Sequence, residues 1–271
     1  VLAHNIVASK TTEPERYMLF LHGILGTRAN WRGVARRFVE ARPAWGAVLV
    51  DLREHGDSLG FEGPHTLTAV ASDVAGLERS LGLPVEGALG HSFGGKVVLR
   101  WLRDRAALPT EAWIIDASPS TNLERVSSAT TDVLEILSRL PRQWPSREAF
   151  VAAVTDAGQP DSIAQWLAMN LRRTDDGGRV FGPSLDAIEA LLVDYAHADL
   201  WDVVESPPPY STLDFVIGGR SNVFSEADLS RLSAIAEQES QVSAHVIEEA
   251  GHWVHVDSAD ALVSLLSADF A

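Results

Sequence analysis

The chain has 271 residues, of which 46% are hydrophobic and 22% charged, the profile of one large soluble globular domain or of a domain carrying an insertion. Its formal charge of −15 argues against a nucleic-acid partner, because a phosphate backbone calls for a basic surface. With no cysteine, disulfides, thiolate catalysis and cysteine-ligated metals are excluded.

At the N-terminus, VLAHNIVASK has no basic stretch followed by an apolar core, so no secretory signal is expected. No apolar run approaches the ~18–20 residues of a membrane span. These features predict a cytoplasmic protein without a membrane partner. Strand-like runs follow at YMLFLHG (Tyr17–Gly23) and GAVLVDLR (Gly46–Arg53). Thr66–Leu81 carries Leu67, Val70, Val74, Leu77 and Leu81 at helical spacing, and Gly82 and Pro84 stop it. VEGALG (Val85–Gly90) reads as a strand, Ser92–Arg105 as a helix and EAWIIDAS (Glu111–Ser118) as a strand. TLDFVIGG (Thr212–Gly219) and SAHVIEEAG (Ser243–Gly251) are the last strands, before a helix over Ser258–Phe270. Nearly continuous apolar runs imply strands covered on both faces. The alternation predicts an α/β fold: a mostly parallel central sheet with helices on both faces.

The rhythm breaks between Ser120 and Pro209, where no convincing strand appears. DVLEILSRL, REAFVAAV, SIAQWLAMNLRR and LDAIEALLVDYAHADLW read as helices, separated by PRQWPS, DAGQP and DDGGRVFGPS. SPPPYS (Ser206–Ser211) closes the interval, since proline cannot continue a helix. The expectation is a helical cap over 120–206, inserted before the penultimate strand of a core formed by 1–119 and 207–271. The alternative is a set of surface helices belonging to the same α/β domain.

Gly90-His91-Ser92-Phe93-Gly94 fits G-x-S-x-G where a strand turns at once into a helix. Glycines flank the serine because neighbouring side chains would collide in so sharp a turn. The turn lifts the Ser92 hydroxyl above the sheet edge and sets the Phe93 N–H at a helix N-terminus, which favours an anion. Serine needs a base. His252, in EEAGHWVHVD, follows a late strand and keeps the chain order serine, acid, histidine. His255, three residues on, is its rival and is placed on the first turn of the last helix. His22 and His91 read as structural, His55 as a turn residue, and the remaining histidines carry no motif. The His-Gly turn of LHGILG (Leu21–Gly26) aims the Ile24 N–H at the same place, as a second donor for an oxyanion. Neither G-x-x-x-x-G-K-[ST] nor G-x-G-x-x-G is present, so nucleotide binding is not expected.

Taken together, Leu21-His22-Gly23, DLREHGDS (Asp51–Ser58), GHSFGGK (Gly90–Lys96) and GHW (Gly251–Trp253) resemble the α/β-hydrolase superfamily over nearly the whole chain. DLREHGDS with GHSFGGK looks most like its small capped carboxylesterase and thioesterase branch. The resemblance implies Ser92 as nucleophile, His252 as base, the Ile24 and Phe93 N–H groups as oxyanion hole, and neither a metal nor an organic cofactor. Most members carry the triad acid after the strand equivalent to TLDFVIGG. Here that loop reads GGRSNVFSEAD, with Ser221 and Asn222 where an aspartate is expected. Asp116, at the end of AWIIDASPS, is the candidate acid, as in some members of the superfamily, with Asn222 or Glu226 as fallback.

The expected activity is hydrolysis of a small-molecule acyl ester or thioester. Trp144, Phe150, Trp166, Phe181 and Tyr195 are candidates to line an acyl slot, with ordinary packing as the alternative for each. A carbon–carbon bond hydrolase or a cofactor-free perhydrolase uses the same serine. A non-catalytic ligand sensor is the reading from a different class.

Overall fold

A computed structural model describes residues 1–105, 108–122 and 129–268 of the chain. The core begins with strands β1 (His4–Val7) and β2 (Arg16–Leu21), helix α1 (Arg32–Ala41), β3 (Trp45–Val50) and α2 (Leu67–Leu81). It continues through β4 (Val85–His91), α3 (Phe93–Arg103) and β5 (Thr110–Ile115). The segment before the next core strand holds α4 (Ala129–Arg139), β6 (Gln143–Trp144), α5 (Arg147–Asp156), α6 (Asp161–Leu167), β7 (Leu171–Arg173), β8 (Arg179–Phe181), α7 (Leu185–His197) and α8 (Trp201–Glu205). The chain ends with β9 (Ser211–Gly218), α9 (Glu226–Gln238), β10 (Val242–Ile247), α10 (Val254–Asp257) and α11 (Ala259–Ser267).

Seven strands form one sheet in the order β1-β3-β2-β4-β5-β9-β10, parallel except where β1 pairs with β3. Side chains alternate across the sheet. Met18 and Phe20 of β2 face a core with Val34 and Phe38 of α1 and Leu262 and Leu266 of α11. Leu19 and Leu21 face the opposite core, with Val70 and Val74 of α2 and Val97 and Val98 of α3. Two cores on one sheet explain why the strands read as unbroken apolar runs.

Strand order places the site. From β2 the chain crosses to β3 on one side and, later, to β4 on the other, so β2 and β4 are neighbours with Leu21 opposite Gly90. A crevice opens at such a reversal, outside the carboxyl ends of the strands. The His-Gly turn and the serine turn therefore meet there.

Three expectations need correction. β6, β7 and β8 form a small antiparallel sheet in the interval expected to hold helices alone. They are two or three residues long, too short for a period-2 signal, and DDGG, expected as a separator between helices, is the turn joining β7 to β8. β1 and α1 went unpredicted, and the last helix is split at Ser258 into α10 and α11. Its expected end at Phe270, like Leu123–Ser128 of the expected cap, lies outside the described residues. No helix among the described residues is long and apolar enough to cross a membrane.

Candidate active site

Ser92 occupies the turn between β4 and α3 with φ 52° and ψ −115°. A non-glycine residue held there is strained, and the surroundings enforce it. A Cβ at Gly90 would stand 2.1 Å from the Gly94 carbonyl oxygen, and one at Gly94 would stand 2.6 Å from the backbone oxygens of Leu21 and His22. Backbone passes backbone here, so only glycine fits. Ser92 heads α3, yet its hydroxyl makes no capping hydrogen bond.

Asp116 follows β5 with φ 46° and is fully buried. Its Oδ2 accepts hydrogen bonds from His252 Nδ1 at 2.7 Å and from Ser221 Oγ at 2.5 Å. Its Oδ1 accepts from the Gly218 N–H at 3.1 Å. His252 therefore carries its proton on Nδ1 when neutral. Its loop is fixed by His91, whose Nε2–H donates to the His252 carbonyl at 2.8 Å, and by Asp257, which accepts from the Gly251 N–H at 2.9 Å. Ser92 and His252 line one cavity. Glu226 opens α9 instead, and Asp214 pairs with His245 on the neighbouring strand at 2.9 Å.

The turn over Gly23–Gly26 closes with the Gly26 N–H on the Gly23 carbonyl at 2.9 Å. Leu25, at φ 57°, gives its N–H to His55 Nε2 at 2.9 Å. His55 Nδ1–H donates to the Arg53 carbonyl at 2.8 Å. His22 repeats the pattern: its Nε2 accepts from the Leu52 N–H at 3.0 Å, and its Nδ1–H donates to the Gly23 carbonyl at 2.8 Å. Both rings are buried, and desolvation pulls His22 down to about 4 and His55 to about 3. Two neutral histidines thus hold the loop from below. Buried Asp51 braces the adjoining chain, accepting from the Arg28 N–H at 2.7 Å and the Asp57 N–H at 2.8 Å. The Ile24 N–H has no acceptor among the described residues, nor has the Phe93 N–H in the first turn of α3. Gly23 lies against the serine, for a Cβ there would be 3.5 Å from Ser92 Cβ.

The cavity holds about 300 Å³. Its floor is the Gly23–Gly26 turn with Ser92, His91 and His252, and its far wall comes from Val133, Pro160, Ile163 and Trp166 of the β5–β9 segment. Trp166 meets Trp253 at 5.0 Å between ring centroids. His255 also lines the cavity but sits against Trp31, at 4.8 Å, and burial lowers it to about 4. Of the five aromatic residues considered for an acyl slot, Trp166 lines the cavity. Trp144, Phe150 and Phe181 pack on one another instead, at 5.4 and 5.8 Å, and Tyr195 packs on Phe93 at 5.8 Å. No group of three or more His, Asp or Glu side chains among the described residues is arranged to hold a metal ion.

Sequence reasoning missed the partners that hold this arrangement. Ser221 was noted where an acid was expected, and the structure turns its hydroxyl onto Asp116. Lys96, in GHSFGGK, is fully buried one turn beyond the serine. Its signal was its place inside the run Phe93–Leu99 of α3, which is buried without a break.

The model of the "Alpha/beta hydrolase family" matches residues 18–265, and the chain belongs to that family. It is 30% identical to mouse "sn-1-specific diacylglycerol lipase ABHD11" over 98% of this chain and 85% of that protein. It is 26% identical to "Esterase YbfF" of Escherichia coli over 91% of this chain and 89% of that one. A solved "Marine microorganism esterase" shares the fold with a TM-score of 0.80 at 19% identity, over 97% of both chains.

Proposed function

We propose that this α/β hydrolase cleaves carboxylic esters of small to medium acyl groups, or the corresponding thioesters, through an acyl-enzyme on Ser92. The observation that carries the reading is the Asp116–His252 hydrogen bond of 2.7 Å beside a cavity that His252 shares with Ser92. The names of the mouse and Escherichia coli relatives, a lipase and an esterase, support hydrolysis of ester bonds.

With Nδ1–H held by Asp116, His252 presents Nε2 as the base. Ser92 Oγ attacks the carbonyl carbon as its proton passes to His252, and buried Asp116 stabilises the imidazolium. The oxyanion forms where the Ile24 and Phe93 N–H groups converge, and one such donor is typically worth ~3–4 kcal/mol of transition-state stabilisation. His252 then protonates the leaving alcohol or thiol. Water attacks the acyl-enzyme by the same route in reverse. The β5–β9 segment acts as the cap, and its apolar wall takes the acyl chain. A cavity of about 300 Å³ lies at the low end of ligand pockets, which matches short to medium chains.

A fluorophosphonate probe tests the reading. The wild type should acquire one adduct, located by mass spectrometry on Ser92, and Ser92→Ala should acquire none. A folded wild type that resists the probe would contradict the proposal.

A further inference from the structure

The hydrolase reading leaves Lys96 without a task. The chain has two lysines, Lys10 and Lys96, against twenty arginines, and Lys96 is fully buried on α3, one helical turn after Ser92. Its Nζ donates to three carbonyl oxygens: Ser120 at 2.7 Å, Ala198 at 2.8 Å and Tyr195 at 3.0 Å. Ser120 lies where the chain leaves β5 for the cap. Tyr195 and Ala198 lie where it returns, at the C-terminal end of α7, whose last carbonyls have no helical N–H to accept. A compact ammonium with three rotatable donors suits three carbonyls converging on one point, which the planar fork of a guanidinium does not. With all three donors satisfied, the cost of burying the charge is offset. Burial lowers Lys96 to about 8, against the charges of Asp199 and Asp228, so it remains protonated at neutral pH.

The two stems also bond to each other. The Leu200 N–H donates to the Pro119 carbonyl at 2.9 Å, the Asn122 N–H to the Ala196 carbonyl at 2.8 Å, and Trp201 Nε1–H to Ser120 Oγ at 2.7 Å. Those bonds join stem to stem, whereas Lys96 joins both stems to the helix that carries the nucleophile. Other ties hold the cap at one point each: Asp194 Oδ2 accepts from the Leu67 N–H at 2.7 Å, and Asn170 Nδ2 donates to the Leu25 carbonyl at 2.7 Å. Val133, Pro160, Ile163 and Trp166, the far wall of the cavity, all lie between the stems in sequence. α4, which carries Val133, packs on α7. A displacement of the stems therefore moves the wall relative to Ser92.

We propose that Lys96 is a positioning residue that sets the apolar wall of the cap at its distance from Ser92, and so governs which acyl chains bind tightly and not the bond-breaking step. The inference rests on the serine-hydrolase reading and on the wall taking the acyl chain. The Lys96 side chain does not line the cavity, so it acts through the wall. The coupling is reciprocal: if the three ammonium bonds favour a bound acyl chain, a bound acyl chain must favour the three bonds by the same factor.

The test compares p-nitrophenyl acetate with p-nitrophenyl hexanoate on the wild type and on Lys96→Met, with melting temperature measured alongside. Lys96→Met should raise the KM for hexanoate about tenfold, the scale of one charge-assisted hydrogen bond. The kcat on acetate, whose methyl group makes least use of the wall, should change by less than about twofold. A lysine that served stability alone would lower the melting temperature and leave the ratio of the two KM values as in the wild type, and that result would overturn the proposal. If Lys96→Met does not fold, the wild type decides. Lysine isotope-labelled at Nζ gives two ammonium signals, from Lys10 and Lys96. With a methyl or a hexyl phosphonate on Ser92, the Lys96 ammonium should exchange with solvent several-fold more slowly in the hexyl adduct, and equal exchange in the two adducts would refute the coupling. A wild type that hydrolyses neither ester and takes no phosphonate on Ser92 would fell the hydrolase reading and this inference together, whereas hydrolysis with an unchanged KM ratio in Lys96→Met would fell this inference alone.

Discussion

Ser221 Oγ donates to Asp116 Oδ2 at 2.5 Å, the same carboxylate oxygen that receives His252 Nδ1. The loop after β9, where the family most often keeps its acid, has no carboxylate at Ser221. Its serine instead orients the carboxylate supplied one sheet position away, at the end of β5.

Asp116→Asn should lower ester turnover by roughly 10³- to 10⁴-fold, because an amide neither fixes the His252 tautomer nor stabilises the imidazolium. The fold should persist, since asparagine tolerates the φ of 46° found there. Turnover and thermal melting measured together check this, and a near-normal rate would place the acid elsewhere.

Ser221→Ala should have a smaller effect of the same kind. It removes one of three hydrogen bonds to a buried carboxylate and leaves those from His252 and Gly218. The expected loss in kcat is about tenfold, or ~1.4 kcal/mol, close to the lower limit for a hydrogen bond to a charged group. Steady-state kinetics on one ester give the number, and an unaltered kcat would show that Ser221 is dispensable.

Stability should fall with acid below the ordinary histidine value. His22 and His55 titrate near 6.5 in the unfolded chain and at about 4 and about 3 when folded. Their contribution is complete above pH 6.5. Below it the unfolded chain takes up protons that the folded one refuses, and each site costs ~1.4 kcal/mol per pH unit. His55→Gln, which keeps an acceptor for the Leu25 N–H, should flatten the decline between pH 6.5 and 4.5. Urea melts across that range measure the slope, and an identical slope in the variant would contradict the account.

Trp166→Ala should open the cavity on the cap side, where Trp166 meets Trp253. Activity should shift toward longer acyl esters, with the KM for short ones rising as apolar contact is lost. Chain-length profiles of the two proteins compare this directly. An unshifted profile would mean the acyl chain lies elsewhere.

The serine turn was legible because much of its constraint is local: Gly90 is required by backbone contacts with Gly94 and Gly95, and the flanking strand and helix are periodic, although Gly94 is required by the distant backbone of Leu21 and His22. Asp116 was reached through the absence of an acid at Ser221, and Glu226 proved to open a helix. The supporting shell was not legible. Ser221 meets Asp116 across 105 positions, and Asn170 donates to the Leu25 carbonyl across 145. Such pairs exist only once the strands are ordered. Tyr195, a candidate to line an acyl slot, packs on Phe93 instead, a contact between α7 and α3 that exists only in the folded chain. β6, β7 and β8 were lost for a different reason, since two or three residues cannot display a period.

The most direct test is hydrolysis of p-nitrophenyl esters from acetate to a long acyl chain by the wild type and by Ser92→Ala. The account predicts turnover that is greatest on short to medium chains and abolished in the variant. Turnover no greater than that of Ser92→Ala at every chain length would contradict it.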